Sequence, residues 1–103
     1  MTHLIQILLP RFDQAGSAFK HSCFEKVTQE LAQRFGGLTA YVRASAQGLW
    51  KTDSGELVAD EVAVFEVMVE EIDADWWGSY RKKLERRFAQ DEIVIRSNPI
   101  RRL

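Results

Sequence analysis

Glu66, Arg43 and Arg96 are the residues whose types and placement come closest to carrying chemistry. Each falls on the non-core parity of a strand-like segment, together with Gln6 and Tyr41. A carboxylate held among partly desolvated groups can be neutralised by a neighbouring arginine, as a structural ion pair, or can act as a general base beside an arginine that clamps an anionic ligand. Gln6, Tyr41, Arg43 and Arg96, with Trp50 nearby on a loop-like stretch, form the candidate ligand-binding set, and Glu66 is the candidate catalytic group. Trp50 reads first as an interface anchor and second as a stacking wall for a ligand.

Other chemistries find little to build on. His3, His21 and Cys23 are the soft ligands present, and no two of them have a metal-binding spacing on one helix face, so no metal is expected. Cys23 cannot form an internal disulfide, which favours a reducing compartment. Gly36-Gly37 precedes a strand-like segment rather than a helix, so it is a helix stop and not a phosphate cradle. No cofactor-binding pattern is present, and no Ser-His-Asp arrangement can be assembled.

Six elements must position the candidate groups. His3 to Leu9 alternates Ile5, Ile7 and Leu9 against Leu4, Gln6 and Leu8 and stops at Pro10. From about Lys20 to Phe35, Phe24, Val27, Leu31 and Phe35 recur at helical spacing, with Ser22 and Glu25, or Ser17, as start signals. Leu38 to Ala44 alternates again. After a loop at Ser45 to Gly48, Leu49 to Thr52 and Glu56 to Ala59 flank Asp53-Ser54-Gly55 and predict a small β excursion. Glu61 to Glu71 is apolar on both parities, as a central strand is. Asp73 or Asp75 caps a helix whose core stripe is Trp77, Tyr80, Leu84 and Phe88, and Ile93 to Arg96 is a last short strand before Asn98-Pro99.

The order strand, helix, strand, strand, helix, strand, with one apolar stripe per helix, predicts an α+β ferredoxin-like βαββαβ sandwich in strand order 4-1-3-2. With 103 residues the chain is one domain, 1–103. Ile5, Ile7, Ala40, Val42, Phe65, Val67, Ile93 and Ile95 then face the helices. Leu4, Gln6, Leu8, Thr39, Tyr41, Arg43, Val64, Glu66, Met68, Val94 and Arg96 face away. That second face carries more apolar surface than a monomer usually leaves in water, and its expected cover is a second copy.

Fourteen Lys and Arg against fifteen Asp and Glu give a net charge of −1, which excludes a strongly basic nucleic-acid binder. The charge is segregated: residues 53–75 carry −9, residues 76–103 carry +5 and residues 1–52 carry +3. The third strand has no stacking aromatics in a basic motif, so an RNA-recognition reading fails. The apolar run Leu4 to Leu9 is far short of the roughly 20 residues of a spanning helix, so no membrane is expected and the chain reads as soluble and cytoplasmic.

The stretch Arg34-Phe35-Gly36-Gly37-Leu38-Thr39-Ala40-Tyr41, followed by Gly48-Leu49-Trp50, Gly55 and Val62 to Met68, resembles a group of short uncharacterised bacterial proteins. The resemblance implies a ferredoxin-like fold and carries over no activity. By topology the chain also resembles the dimeric α/β-barrel group, which includes cofactor-independent monooxygenases. The expected function is a non-catalytic homodimeric domain binding a small anionic ligand or a partner. The alternative is a small cofactor-independent enzyme with Glu66 as base, Arg43 or Arg96 as anion clamp, and Trp50 and Tyr41 as walls.

Overall fold

The computed structural model describes the backbone of residues 1–51 and 57–103, and the side chains of residues 1–41 and 61–103. Its elements are β1 (Thr2–Pro10), α1 (His21–Phe35), β2 (Thr39–Lys51), β3 (Leu57–Val69), α2 (Ala74–Arg87) and β4 (Val94–Ile100). The four strands form one antiparallel sheet in the order β2-β3-β1-β4, the ferredoxin-like arrangement, with both helices packed on one face.

Strict alternation on β1 sets the core. Ile5, Ile7 and Leu9 are buried under the helices, joined by Ala63, Phe65, Val67 and Val69 of β3 and by Ile93 beside β4. Helix α1 contributes Val27 and Leu31, and α2 contributes Trp77, Tyr80 and Leu84, followed by Phe88. Each fully buried aliphatic or aromatic side chain stabilises the fold by about 1.5–3 kcal/mol. Beside this core Phe35 stacks on Trp77 with centroids 5.3 Å apart, and Trp76 stacks on Tyr80 at 4.9 Å.

Several sequence expectations are corrected. Helix α1 starts after Lys20, whose side chain makes no cap bond, so neither the Ser22–Glu25 capping box nor Ser17 starts it. The separate β excursion is instead the far part of a long β2–β3 hairpin. Ser45 to Gly48 is a bulge within β2, where residues 45–48 answer the single residue Asp60 between the pairs Ala44–Glu61 and Leu49–Ala59. The turn at 52–56 lies outside the described residues. Strand β4 begins and ends later than expected and runs through Pro99, which pairs with His3. An edge strand tolerates this, because the missing N–H belongs on the side that no neighbour uses. Ala40 has the helix-side register, opposite Phe65, yet is exposed.

The caps follow local chemistry. Asp73 is the N-cap of α2 and accepts from the Trp76 amide at 3.1 Å. Gly36 ends α1 at φ +80°, its N–H bonded to the Ala32 carbonyl. At the end of α2 the corresponding left-handed residue is Ala89, at φ 49°, with the Gln90 amide bonded back to the Glu85 carbonyl at 2.9 Å. A Cβ in that region is strained by about 1–2 kcal/mol. Ala89→Gly is therefore expected to raise the unfolding free energy by about 1 kcal/mol, seen as a higher urea midpoint with unchanged slope. A lower midpoint would contradict the assignment.

Candidate functional site

On the sheet face away from the helices, register brings the candidate polar groups into one line. Gln6 on β1 stands opposite Glu66 on β3 and opposite Arg96 on β4, while Tyr41 on β2 is diagonal to Glu66 through its partner Val64. The side chains join into a row across all four strands. Arg96 Nε donates to Gln6 Oε1 at 2.9 Å, Gln6 Nε2 donates to Glu66 Oε2 at 2.7 Å, and the Tyr41 hydroxyl donates to the same Glu66 oxygen at 3.3 Å. The amide orientation of Gln6 is the one in which both of its ends are satisfied.

The frame around the row is apolar. Val64 is 1% exposed and Leu4 and Leu8 are half-buried, whereas Met68, Val94 and Tyr41 stand out at 53%, 45% and 40%. Of the ion pairs expected for Glu66, with Arg43 or with Arg96, the one with Arg96 is replaced by a relay through Gln6. Arg43 pairs with Val62 and Trp50 with Val58 along β2, and both side chains lie outside the described residues, as does any contact of theirs with Glu66.

A second polar cluster, which sequence reasoning missed, ties the two helices together. Glu30 on α1 receives Arg87 of α2 in a two-pronged contact, Nη1 to Oε1 at 2.7 Å and Nη2 to Oε2 at 2.9 Å, and the Tyr80 hydroxyl donates to Oε1 at 3.0 Å. Lys83 lies 3.9 Å from Oε2. The Arg87 hydrogen bond holds the Glu30 carboxyl below its ordinary range against the opposing effect of burial, with Tyr80 and the charges of Arg87 and Lys83 assisting. Burial, with the Glu30 carboxylate beside it, pushes the Tyr80 hydroxyl well up. Arg87 is raised by the same Glu30 contact. Nothing local signals this cluster: Glu30 and Arg87 are 57 residues apart, and only the seven-residue step from Tyr80 to Arg87 hints at a shared face.

No protein-family model and no curated protein matches the sequence. Among solved structures, the chain is similar to a phage SAM lyase in complex with S-methyl-5'-thioadenosine, with TM-score 0.64 and 15% identity over 94% of this chain and 80% of that one. It is also similar to the periplasmic divalent cation tolerance protein CutA from Archaeoglobus fulgidus, with TM-score 0.61 and 14% identity over 99% and 86%. The likeness is one of fold. It replaces both resemblances suggested by the sequence: the short bacterial group finds no matching family, and the sheet of the described residues is not closed into a barrel but has β2 and β4 as its edges. No helix among the described residues is long and apolar enough to cross a membrane.

The Glu30 cluster sets a pH dependence. A carboxyl lowered in the folded state contributes stability that is present above its unfolded pKa, near 4.5, and is lost as pH falls through the lower folded value. Urea midpoints measured down that interval are expected to fall more steeply for the wild type than for Glu30→Gln. Parallel curves would remove Glu30 from the account.

Proposed function

We propose that this chain is a non-catalytic, cytoplasmic binding domain whose partner is a second copy of itself, docked through the open sheet face. The observation that carries this reading is the hydrogen-bonded row Arg96, Gln6, Glu66, Tyr41 set in an apolar frame with Met68 and Val94 exposed. A face that is apolar at its edges and hydrogen-bonded along its polar centre leaves, among the described residues, the Arg96 Nη groups and Glu66 Oε1 for the cover to meet, and stranding a buried polar atom costs about 1–3 kcal/mol.

Charge placement favours a copy of the same face as the cover. The row runs from a cation on β4 to a carboxylate and a phenol toward β2. A two-fold axis parallel to the strands reverses the strand order of the upper sheet. It thereby sets the Arg96 end of one row above the Glu66 and Tyr41 end of the other, at the sheet spacing of about 10 Å. In this reading the anion that Arg96 meets is a carboxylate of the second copy rather than a small ligand. What Glu66 already does also favours assembly over general-base chemistry, since Oε2 accepts two protein donors and serves as a fixed acceptor.

Sedimentation velocity at micromolar concentration is expected to show a dimer for the wild type. Met68→Lys combined with Val94→Lys is expected to give a monomer with an unchanged far-ultraviolet spectrum, because both side chains are exposed in the single chain. A monomeric wild type, or a double variant that stays dimeric, overturns the proposal.

A further inference from the structure

At the outer surface of the helix layer, α1 and α2 leave a groove of about 470 Å³ between them. That volume lies within the range of small-ligand sites, about 300–1,000 Å³. Every residue lining it belongs to one of the two helices, and all of their side chains are described. The Glu30 cluster forms one end of the groove, and Arg34 and Trp76 form the other.

Arg34 gives the groove its chemistry. Its guanidinium lies 4.3 Å from the centroid of Trp76, a ring that is itself held parallel to Tyr80 at 4.9 Å and edge-on to Trp77 at 4.7 Å and Phe35 at 5.3 Å. Tyr80 is fixed in turn by its hydroxyl, which donates to Glu30. A guanidinium packed on an aromatic face keeps its in-plane N–H groups for other partners. Asp73 Oδ2 stands 3.6 Å from Arg34 Nη2, beyond hydrogen-bond range, so it steadies the cation without occupying its donors. An arginine held this way needs little ordering when it binds, which lowers the cost of binding.

Lys83 answers it from α2. Its ammonium lies 3.9 Å from Glu30 Oε2, but that carboxylate is already engaged by Arg87 at both oxygens and by the Tyr80 hydroxyl. Among the described residues Arg34, Lys83, Gln33 and Ser79 make no side-chain hydrogen bond to the protein, and all four can donate one. The cations Arg34, Lys83 and Arg87 stand against the carboxylates Glu30 and Asp73, which leaves a single positive charge. Free donors and one unmatched cation call for an acceptor that carries one negative charge.

We propose that the groove between α1 and α2 binds a small monocarboxylate. Its carboxylate meets the in-plane edge of Arg34, which matches two oxygens with two parallel N–H groups, and the Lys83 ammonium. Ser79 and Gln33 supply neutral donors beside it, and the apolar body of the acid lies against Trp76. The groove is on the outer side of the helices, so it stands or falls independently of assembly through the open sheet face.

The test titrates the intact, isotope-labelled chain at neutral pH and constant ionic strength with probes that share one ring: benzoate, neutral benzamide, and phenyl phosphate, which is largely doubly charged. Indole and arginine side-chain resonances are followed. Benzoate is expected to give saturable shifts at Trp76 Nε1–H and Arg34 Nε–H and to bind at least about fivefold more tightly than benzamide, the worth of a hydrogen bond to a charged group. Phenyl phosphate is expected to bind no more tightly than benzoate, because Glu30 and Asp73 oppose a second negative charge. Lys83→Gln, and Arg34→Lys, which keeps the charge and loses the fork, are each expected to cost at least about fivefold in affinity for benzoate. Lys82→Gln removes the same charge from an exposed neighbour outside the groove and is expected to leave that affinity within about twofold. The proposal is overturned by shifts that do not saturate or that lie away from the groove. It is equally overturned if benzamide or phenyl phosphate binds more tightly than benzoate, if Arg34→Lys binds undiminished, or if Lys82→Gln costs as much as Lys83→Gln.

Discussion

The pairing register of β1 is the constraint on which both faces of the sheet depend. With β3 on one side and β4 on the other, β1 is the strand whose odd-numbered residues, Ile5, Ile7 and Leu9, anchor the core. Its even-numbered residue Gln6 joins Glu66 to Arg96. A slip of one residue would put Leu4, Gln6 and Leu8 under the helices and three large aliphatic side chains in water. The hydrophobic cost of that slip holds the polar row in place, so the row is a by-product of core packing and needs little stability of its own.

The helix layer is locked in a different way. Apolar stripes hold α1 and α2 to the sheet, whereas their mutual position is fixed at the outer surface by the Glu30, Arg87 and Tyr80 contact and by rings that meet at defined angles, such as Phe35 on Trp77. Arg34 adds a lid to this ring cluster, its guanidinium 4.3 Å from the Trp76 centroid and 3.6 Å from Asp73. Aliphatic burial is tolerant of direction, while a two-pronged guanidinium contact is not. The helices therefore have little freedom to slide across the sheet.

The features legible in the sequence were those with a period. Alternation in β1 and β3 and the helical stripes of α1 and α2 gave element order, strand order and nearly all of the core, because burial repeats at every second residue or every turn. It also placed Gln6, Tyr41, Glu66 and Arg96 on one face. What it could not supply was the order of contacts within that face. Charge alone suggests an arginine on Glu66, but the register interposes Gln6. Local rules misled where tertiary pairing overrode them: Ser45 to Gly48 has loop chemistry yet is accommodated as a bulge, Pro99 sits inside a strand because that strand is an edge, and Lys20 starts a helix without a capping side chain. The Glu30 to Arg87 contact was invisible because a long-range ion pair has no signature in spacing.

Pro99 has an effect that reaches past the single chain. An open sheet has two rims, and unlimited growth into a ribbon requires both to accept a new strand. The β4 rim carries a residue with no amide hydrogen to give, within a strand only seven residues long, whereas the β2 rim runs thirteen residues without a proline. Strand addition is thus biased to one side, and a newcomer arriving there meets no equally receptive rim at the far end. The molecule carries a built-in terminator against fibrous stacking of its own sheets, encoded by one imino acid.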